Sequence, residues 1–156
     1  WFALAFAAIG TLMALSSFVN ATFVGRFGMR RLSHGALVAM ALLLFVLMVL
    51  DEISPVSLAT FTIFFGAVFF CVGLILPNFN AIAMEPLGRV AGMGSSLIGA
   101  YMTGIGAVLG TIIGQNFDGT AQPLTRGLAA FVIASLVAIL ITERGRLFGI
   151  GENRRH

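Results

Sequence analysis

Gly25-Arg26-Phe27-Gly28-Met29-Arg30-Arg31 packs three arginines and two glycines into seven residues. Residues 1–24 before it carry no charge, and residues 32–50 after it carry only His34, at the edge. A helix rising about 1.5 Å per residue needs about 20 apolar residues to cross about 30 Å of hydrocarbon. The heptapeptide therefore reads as a tight basic loop, residues 25–31, joining two membrane-spanning helices.

Working outward, residues 53–76 are again uncharged, with Pro55 in the first turn, where a missing N–H costs little. Residues 90–117 form an uncharged run long enough to cross with tilt. Residues 127–142 are the shortest, and the stem of Arg126 can extend them by snorkelling. These runs are continuously apolar and do not alternate, which excludes a barrel and predicts an all-α membrane protein of five transmembrane helices. No Gly/Ser or Pro linker divides them, so residues 1–156 are expected to form one bundle with a tail over 143–156.

Composition agrees. The chain is 59% hydrophobic and 10% charged, with a mean hydropathy of +1.04. Soluble domains carry about a quarter charged residues. The net charge of +3 does not indicate a nucleic-acid partner, because the arginines are separated by whole spans and form no patch. All nine basic residues are arginine, to which we attach no function. A single cysteine, Cys71 in an apolar run, excludes an internal disulfide and a Cys-cluster metal site. Two histidines, His34 and His156, make no metal site by themselves, and no cofactor is implied.

Arginine placement orients the bundle. The loop 25–31, Arg89 and the tail arginines Arg144, Arg146, Arg154 and Arg155 share one face, and Arg126 alone lies on the other, beside Asp51, Glu52 and Asp118. The positive-inside rule then puts the C-terminus in the cytoplasm and Trp1 outside. A chain that starts with Trp1, outside, and lacks a signal peptide is expected to be a piece of a longer one.

Within 90–117 a stripe of small residues, Gly92, Ser96, Gly99, Thr103, Gly106, Gly110 and Gly114, recurs at helical spacing. Gly99, Gly106, Gly110 and Gly114 are expected to pack closely against another helix, as a static seam or as a sliding surface. Tyr101, the one tyrosine, lies mid-span beside Met102, and its hydroxyl needs a partner from a neighbouring helix or a wet cavity. Phe61, Phe64, Phe65, Phe69 and Phe70, spread around the helix, make 53–76 aromatic, in keeping with core or lipid-facing packing or with an apolar or cationic aromatic ligand. No Asp, Glu, Lys or Arg lies inside a span, so no proton relay is visible. Ser16, Ser17, Asn20, Asn78 and Asn80 could bond between helices, and Pro77 marks either a helix end or a hinge. A Ser/His/Asp set, HExxH and a phosphate loop are all absent, so we expect no enzyme.

Three stretches resemble the major facilitator superfamily, and within it the bacterial drug:proton antiporters of the bicyclomycin- and chloramphenicol-resistance type. They are residues 20–33, with Arg26, Gly28, Arg30 and Arg31 in a loop similar to that between the eighth and ninth helices; residues 78–99, the most specific; and residues 114–120. Gly25 stands where the superfamily's loop usually carries an acid. The resemblance implies the eighth to twelfth helices, a partial C-terminal half of a twelve-helix major facilitator fold. It also implies a cavity shared with an absent N-terminal half that holds the coupling acid, and alternating-access export of small amphipathic compounds against protons. Met13, Phe65, Tyr101 and Met102 are then the candidates to line that cavity. The alternative is a non-transporting five-helix scaffold or subunit; the upstream reading frame would separate the two.

Overall fold

The computed structural model describes residues 2–143, 145 and 148. Trp1, Arg144, Arg146, Arg154, Arg155 and His156 lie outside the described residues, so the tail 143–156 is described only in part. Among the described residues the fold is entirely helical. Helix α1 spans Phe2–Phe27, α2 Met29–Ile53, α3 Leu58–Met84, a short 3-10 segment Glu85–Val90, α4 Ala91–Gln115 and α5 Gln122–Thr142. Four continuous helical runs are long and apolar enough to cross a membrane: Ala3–Phe27, Met29–Ile53, Leu58–Gln115 and Gln122–Thr142.

The third run contains 58 residues, about 87 Å if straight, nearly three times the hydrocarbon thickness. It turns back on itself. Phe79, near the end of α3, lies beside His34 at the arginine end of the bundle. Ile113, near the end of α4, lies against Gly127 at the start of α5. There Arg126 bonds Glu52 at the end of α2. The chain therefore reverses within Glu85–Val90, and α3 and α4 run in opposite directions.

Helix boundaries depart from the sequence reading at three places. The expected basic loop is almost wholly helical, because α1 continues to Phe27 and α2 starts at Met29. Only Gly28 breaks the helix, at φ 82° and ψ 151°. Pro55 lies not in a first turn but in the connector, and α3 begins after Ser57, whose Oγ accepts the Thr60 N–H at 3.1 Å. Most consequentially, α3 does not end at Leu76 but continues through Pro77 to Met84. A proline inside a helix costs one backbone bond and can be absorbed where neighbours pack closely.

The core lies between α2, α3 and α5, where Leu37, Met40, Leu44, Val68, Cys71, Leu74 and Val132 are buried. Helix α1 packs along α3 in the same direction, with Leu12 at Gly66, Ser16 at Gly73 and Asn20 at Asn78. Helix α5 packs antiparallel to α2. Exposed ion pairs clip both ends of that pair: Arg126–Glu52 at 2.8 Å and Arg30–Glu143 at 3.6 Å. Surface pairs of this kind contribute about 0–1 kcal/mol, so they align the helices more than they stabilise them. Helix α4 is the outlier. Gly94 against Leu87 and Ile113 against Gly127 tether its ends, and most of its length is exposed.

Candidate functional site

At the arginine end the basic stretch forms a hairpin of two helices around one residue. Gly28 N–H donates to Val24 O at 2.8 Å, closing α1, and Gly28 O accepts the Leu32 N–H at 3.2 Å, opening α2. The backbone angles of Gly28 are open to glycine and strained for any other residue. Each arginine is held separately. Arg26 lies 5.8 Å from the Phe27 ring centroid, Arg30 pairs with Glu143, and Arg31 Nε donates to the Phe148 carbonyl at 3.3 Å. Phe148 N–H in turn donates to His34 Nδ1 at 3.0 Å, so the turn after α5 is fastened onto the start of α2.

Between α1 and α3 the contact is close and partly polar. A Cβ on Gly73 would collide with Ser16 Oγ and fall 3.0 Å from the Met13 carbonyl. Ser16 and Ser17 both donate to that carbonyl within their own helix, so among the polar residues of α1 Asn20 makes the bond across to α3. Both amides are buried, and the Asn78 Nδ2 also donates to Leu74 O at 2.8 Å. Sequence reasoning named the asparagines as possible interhelix partners but missed Gly66 and Gly73. Their spacing of seven, opposite Leu12 and Ser16, was the available signal.

The four expected cavity residues are not brought together. Met13 is half-buried on α1, and Phe65 is 5% exposed in the packed interior. Tyr101 and Met102 are 68% and 45% exposed on α4, a helix with no contact to α1. Nor does the chain supply a partner for the small-residue stripe: Gly99, Gly106, Gly110 and Gly114 have nothing within reach of an added Cβ. Close approach at glycines within this chain occurs at Gly66, Gly73, Gly94 and Gly127.

A cleft of about 480 Å³ opens at the opposite end, between the α2–α3 connector and the α4–α5 turn. Asp51, Pro55 and Phe61 line one side, and Gly119, Thr120 and Gln122 the other. Asp51 Oδ1 accepts the Val56 N–H at 3.3 Å. The Phe61 ring stacks on Phe65 at 4.1 Å, and Phe65 neighbours Phe69 at 6.4 Å. Phe61, Phe65 and Phe69 thus form one ladder, at steps of four residues, from cleft to interior. In the turn beyond, the Thr120 hydroxyl and backbone N–H donate to Asp118 Oδ1 at 2.6 and 2.9 Å. They hold the Asp118 carboxyl below the ordinary aspartate value. Among the described residues no group of His, Cys, Asp and Glu could hold a metal ion.

Against known proteins, the chain is 30% identical over 129 residues to the bicyclomycin resistance protein homolog of Haemophilus influenzae. The match takes in 81% of this chain and 31% of that relative, so the chain spans about a third of the length of the protein it matches. That relative is named for antibiotic resistance and not for an enzymatic activity. No family model matches the chain, and no solved structure matches it.

Proposed function

We propose that this chain is the C-terminal part of a major facilitator drug:proton antiporter, contributing its eighth to twelfth helices. The observation that carries the reading is the 129-residue similarity to a bicyclomycin resistance protein homolog. The helical architecture supports it, because the reversal at Glu85–Val90 lets the 58-residue run supply two crossings and the chain five. With five crossings, Arg26, Arg30, Arg31 and Arg89 share the cytoplasmic face, and Asp51, Glu52, Asp118 and Arg126 face the periplasm.

In this reading the exposed helix α4 meets the N-terminal half of the same transporter through one of its faces, Tyr101 lying on the side of the helix opposite the glycine stripe. Substrate binds between the halves, and the whole protein exports small amphipathic compounds against protons by alternating access. Met13 and Phe65 belong to the α1–α3 wall behind that cavity. In this reading the proton-carrying acid lies in the N-terminal half, since the uncharged apolar runs of this sequence hold no Asp or Glu.

The test is proton-driven efflux from everted membrane vesicles containing the full-length protein. Uptake of an antibiotic or apolar cation that collapses with the proton gradient is expected. Gradient-independent behaviour across such compounds, or an N-terminal portion without a membrane-embedded acid, would sink the antiporter reading.

A further inference from the structure

The turn after α5 is gripped by α2 through a single residue. Phe148 N–H donates to His34 Nδ1 at 3.0 Å, and the Phe148 carbonyl accepts from Arg31 Nε at 3.3 Å. Both backbone groups of one residue thus end on side chains of α2. The Phe148 ring stands edge-on to the His34 ring, with centroids 6.2 Å apart, and one ring carbon lies 4.0 Å from where a Cβ on Gly35 would be. Gly145, at φ 78°, turns the chain, and its N–H donates to Leu140 O at 2.7 Å. Phe148 itself sits at φ 75°, in the left-handed region that a phenylalanine rarely adopts. Such a conformation persists only while its surroundings hold it.

We propose that this contact is a proton-sensitive latch, which holds the turn after α5 to α2 while the His34 ring is neutral and releases it when the ring takes up a proton. The direction of the hydrogen bond carries the inference. A backbone N–H only donates, so Nδ1 must be unprotonated to accept it. An imidazolium donates from both nitrogens, which sets two donors face to face and removes the bond. His34 is 2% exposed, between the Phe148 ring and the Phe79 ring of α3, so a closed latch offers the displaced donors no water. Opening it does. The charged groups facing the ring are Arg30 and Arg31 on α2 and Glu143 at the end of α5. With the latch open, the exposed Arg30–Glu143 pair at 3.6 Å still joins α2 and α5 at this end. The efflux reading makes no use of His34, so the latch stands or falls independently of it.

The experiment follows hydrogen exchange by mass spectrometry in the purified full-length protein in lipid nanodiscs. It compares about pH 8 with about pH 5, on either side of the ordinary histidine value, with labelling times scaled to the intrinsic exchange rate. The peptide containing Phe148 is expected to lose about fivefold in protection on acidification, in line with one neutral hydrogen bond, while peptides from α3 keep theirs. His34→Gln, which offers an acceptor that does not titrate, should show the same protection at both values. Glu143→Gln removes the neighbouring ion pair and should keep the pH dependence. Wild-type protection that does not change with pH overturns the proposal, as does a His34→Gln variant that still responds. Loss of the response in Glu143→Gln assigns it to the ion pair, and a parallel loss across α3 assigns it to general acid unfolding; either result also overturns the latch.

Discussion

The side-chain amides of Asn20 and Asn78 clasp each other across α1 and α3. Asn78 Nδ2 donates to Asn20 Oδ1 at 2.6 Å, and Asn20 Nδ2 faces Asn78 Oδ1 at 3.4 Å. Lipid gives two apolar helices no hydrophobic reason to associate, so a bond of this kind fixes register where shape alone would allow sliding. Asn78 follows Pro77 directly, and the clasp therefore anchors α3 one residue beyond its missing backbone donor.

Breaking the clasp from either side should be asymmetric. Asn78 is 2% exposed and also bonds Leu74 O, whereas Asn20 is 8% exposed and bonds Asn78. Asn78→Ala is expected to cost about 1–2 kcal/mol and Asn20→Ala less, with a coupling of about 0.5–1.5 kcal/mol in a double-mutant cycle. Unfolding titrations in mixed detergent micelles would measure all three. Additive single effects would show that the amides are neighbours without being partners.

Two glycines on different helices should respond in opposite ways to a methyl group. At Gly73 the new Cβ meets Ser16 Oγ and the Met13 backbone carbonyl, so Gly73→Ala is expected to cost about 1–3 kcal/mol by prising α1 from α3. Ser16→Gly should restore part of that loss. At Gly106 the space is open within this chain. Gly106→Ala should therefore be tolerated or mildly stabilising, since alanine is the better helix former by about 1 kcal/mol. The bulkier Gly106→Leu is expected to impair assembly of the full-length protein if another helix packs against α4 there. Normal assembly would place the stripe against lipid.

These contrasts explain what could be read in advance. Length and apolarity announced the helices, because a chain in hydrocarbon must satisfy its backbone internally and helices do so locally. The Arg26–Arg31 turn was legible for the same reason: charges mark where apolar runs stop. Pro77 misled, because its effect on α3 depends on whether neighbours accommodate it, which a local rule does not encode. Met13, Phe65, Tyr101 and Met102 were candidates only through the helices that the resemblance puts beside a cavity. When core and lipid faces are both apolar, periodicity does not tell them apart, so buried Phe65 and exposed Tyr101 looked alike. The cleft was invisible for a different reason, since Asp51 and Thr120 are brought together only by tertiary packing.

Asp118 offers a pH test. Its carboxyl is held below the ordinary aspartate value by the Thr120 hydroxyl and amide, so the turn's contribution is fully present above the unfolded value. It is lost as pH falls through the lower, folded value. Thr120→Val removes the hydroxyl donor and should raise the Asp118 midpoint toward that of an unperturbed aspartate, followed by carboxyl NMR. An unmoved midpoint would mean that the hydroxyl bond does not persist in solution.

The fastening of Phe148 to α2 predicts a defined tautomer. His34 Nδ1 accepts the Phe148 N–H, so the ring must be neutral with its proton on Nε2. Nitrogen NMR of labelled histidine should show that form at neutral pH. Replacing His34 by Leu keeps the buried position apolar but deletes the acceptor. Hydrogen exchange at the Phe148 amide should then accelerate about fivefold, in line with one neutral hydrogen bond.

Gly28 is the sharpest test of the basic turn, because its space and its conformation predict opposite things. An added Cβ there meets nothing within 4 Å, so sterics with neighbours would allow alanine freely. Its φ of 82° and ψ of 151° lie in a region essentially reserved for glycine, where another residue costs about 1–3 kcal/mol. Gly28→Ala is therefore expected to destabilise the α1–α2 hairpin by that amount despite the open surroundings. A D-alanine introduced by semisynthesis, whose preferred φ is positive, should be tolerated. Gly25→Ala is the control, since Gly25 is helical and its surroundings are also empty. That change should be neutral or slightly stabilising. Equal effects at the two positions would show that the turn relaxes to accept a side chain, and that three arginines converge here without a fixed hinge between them.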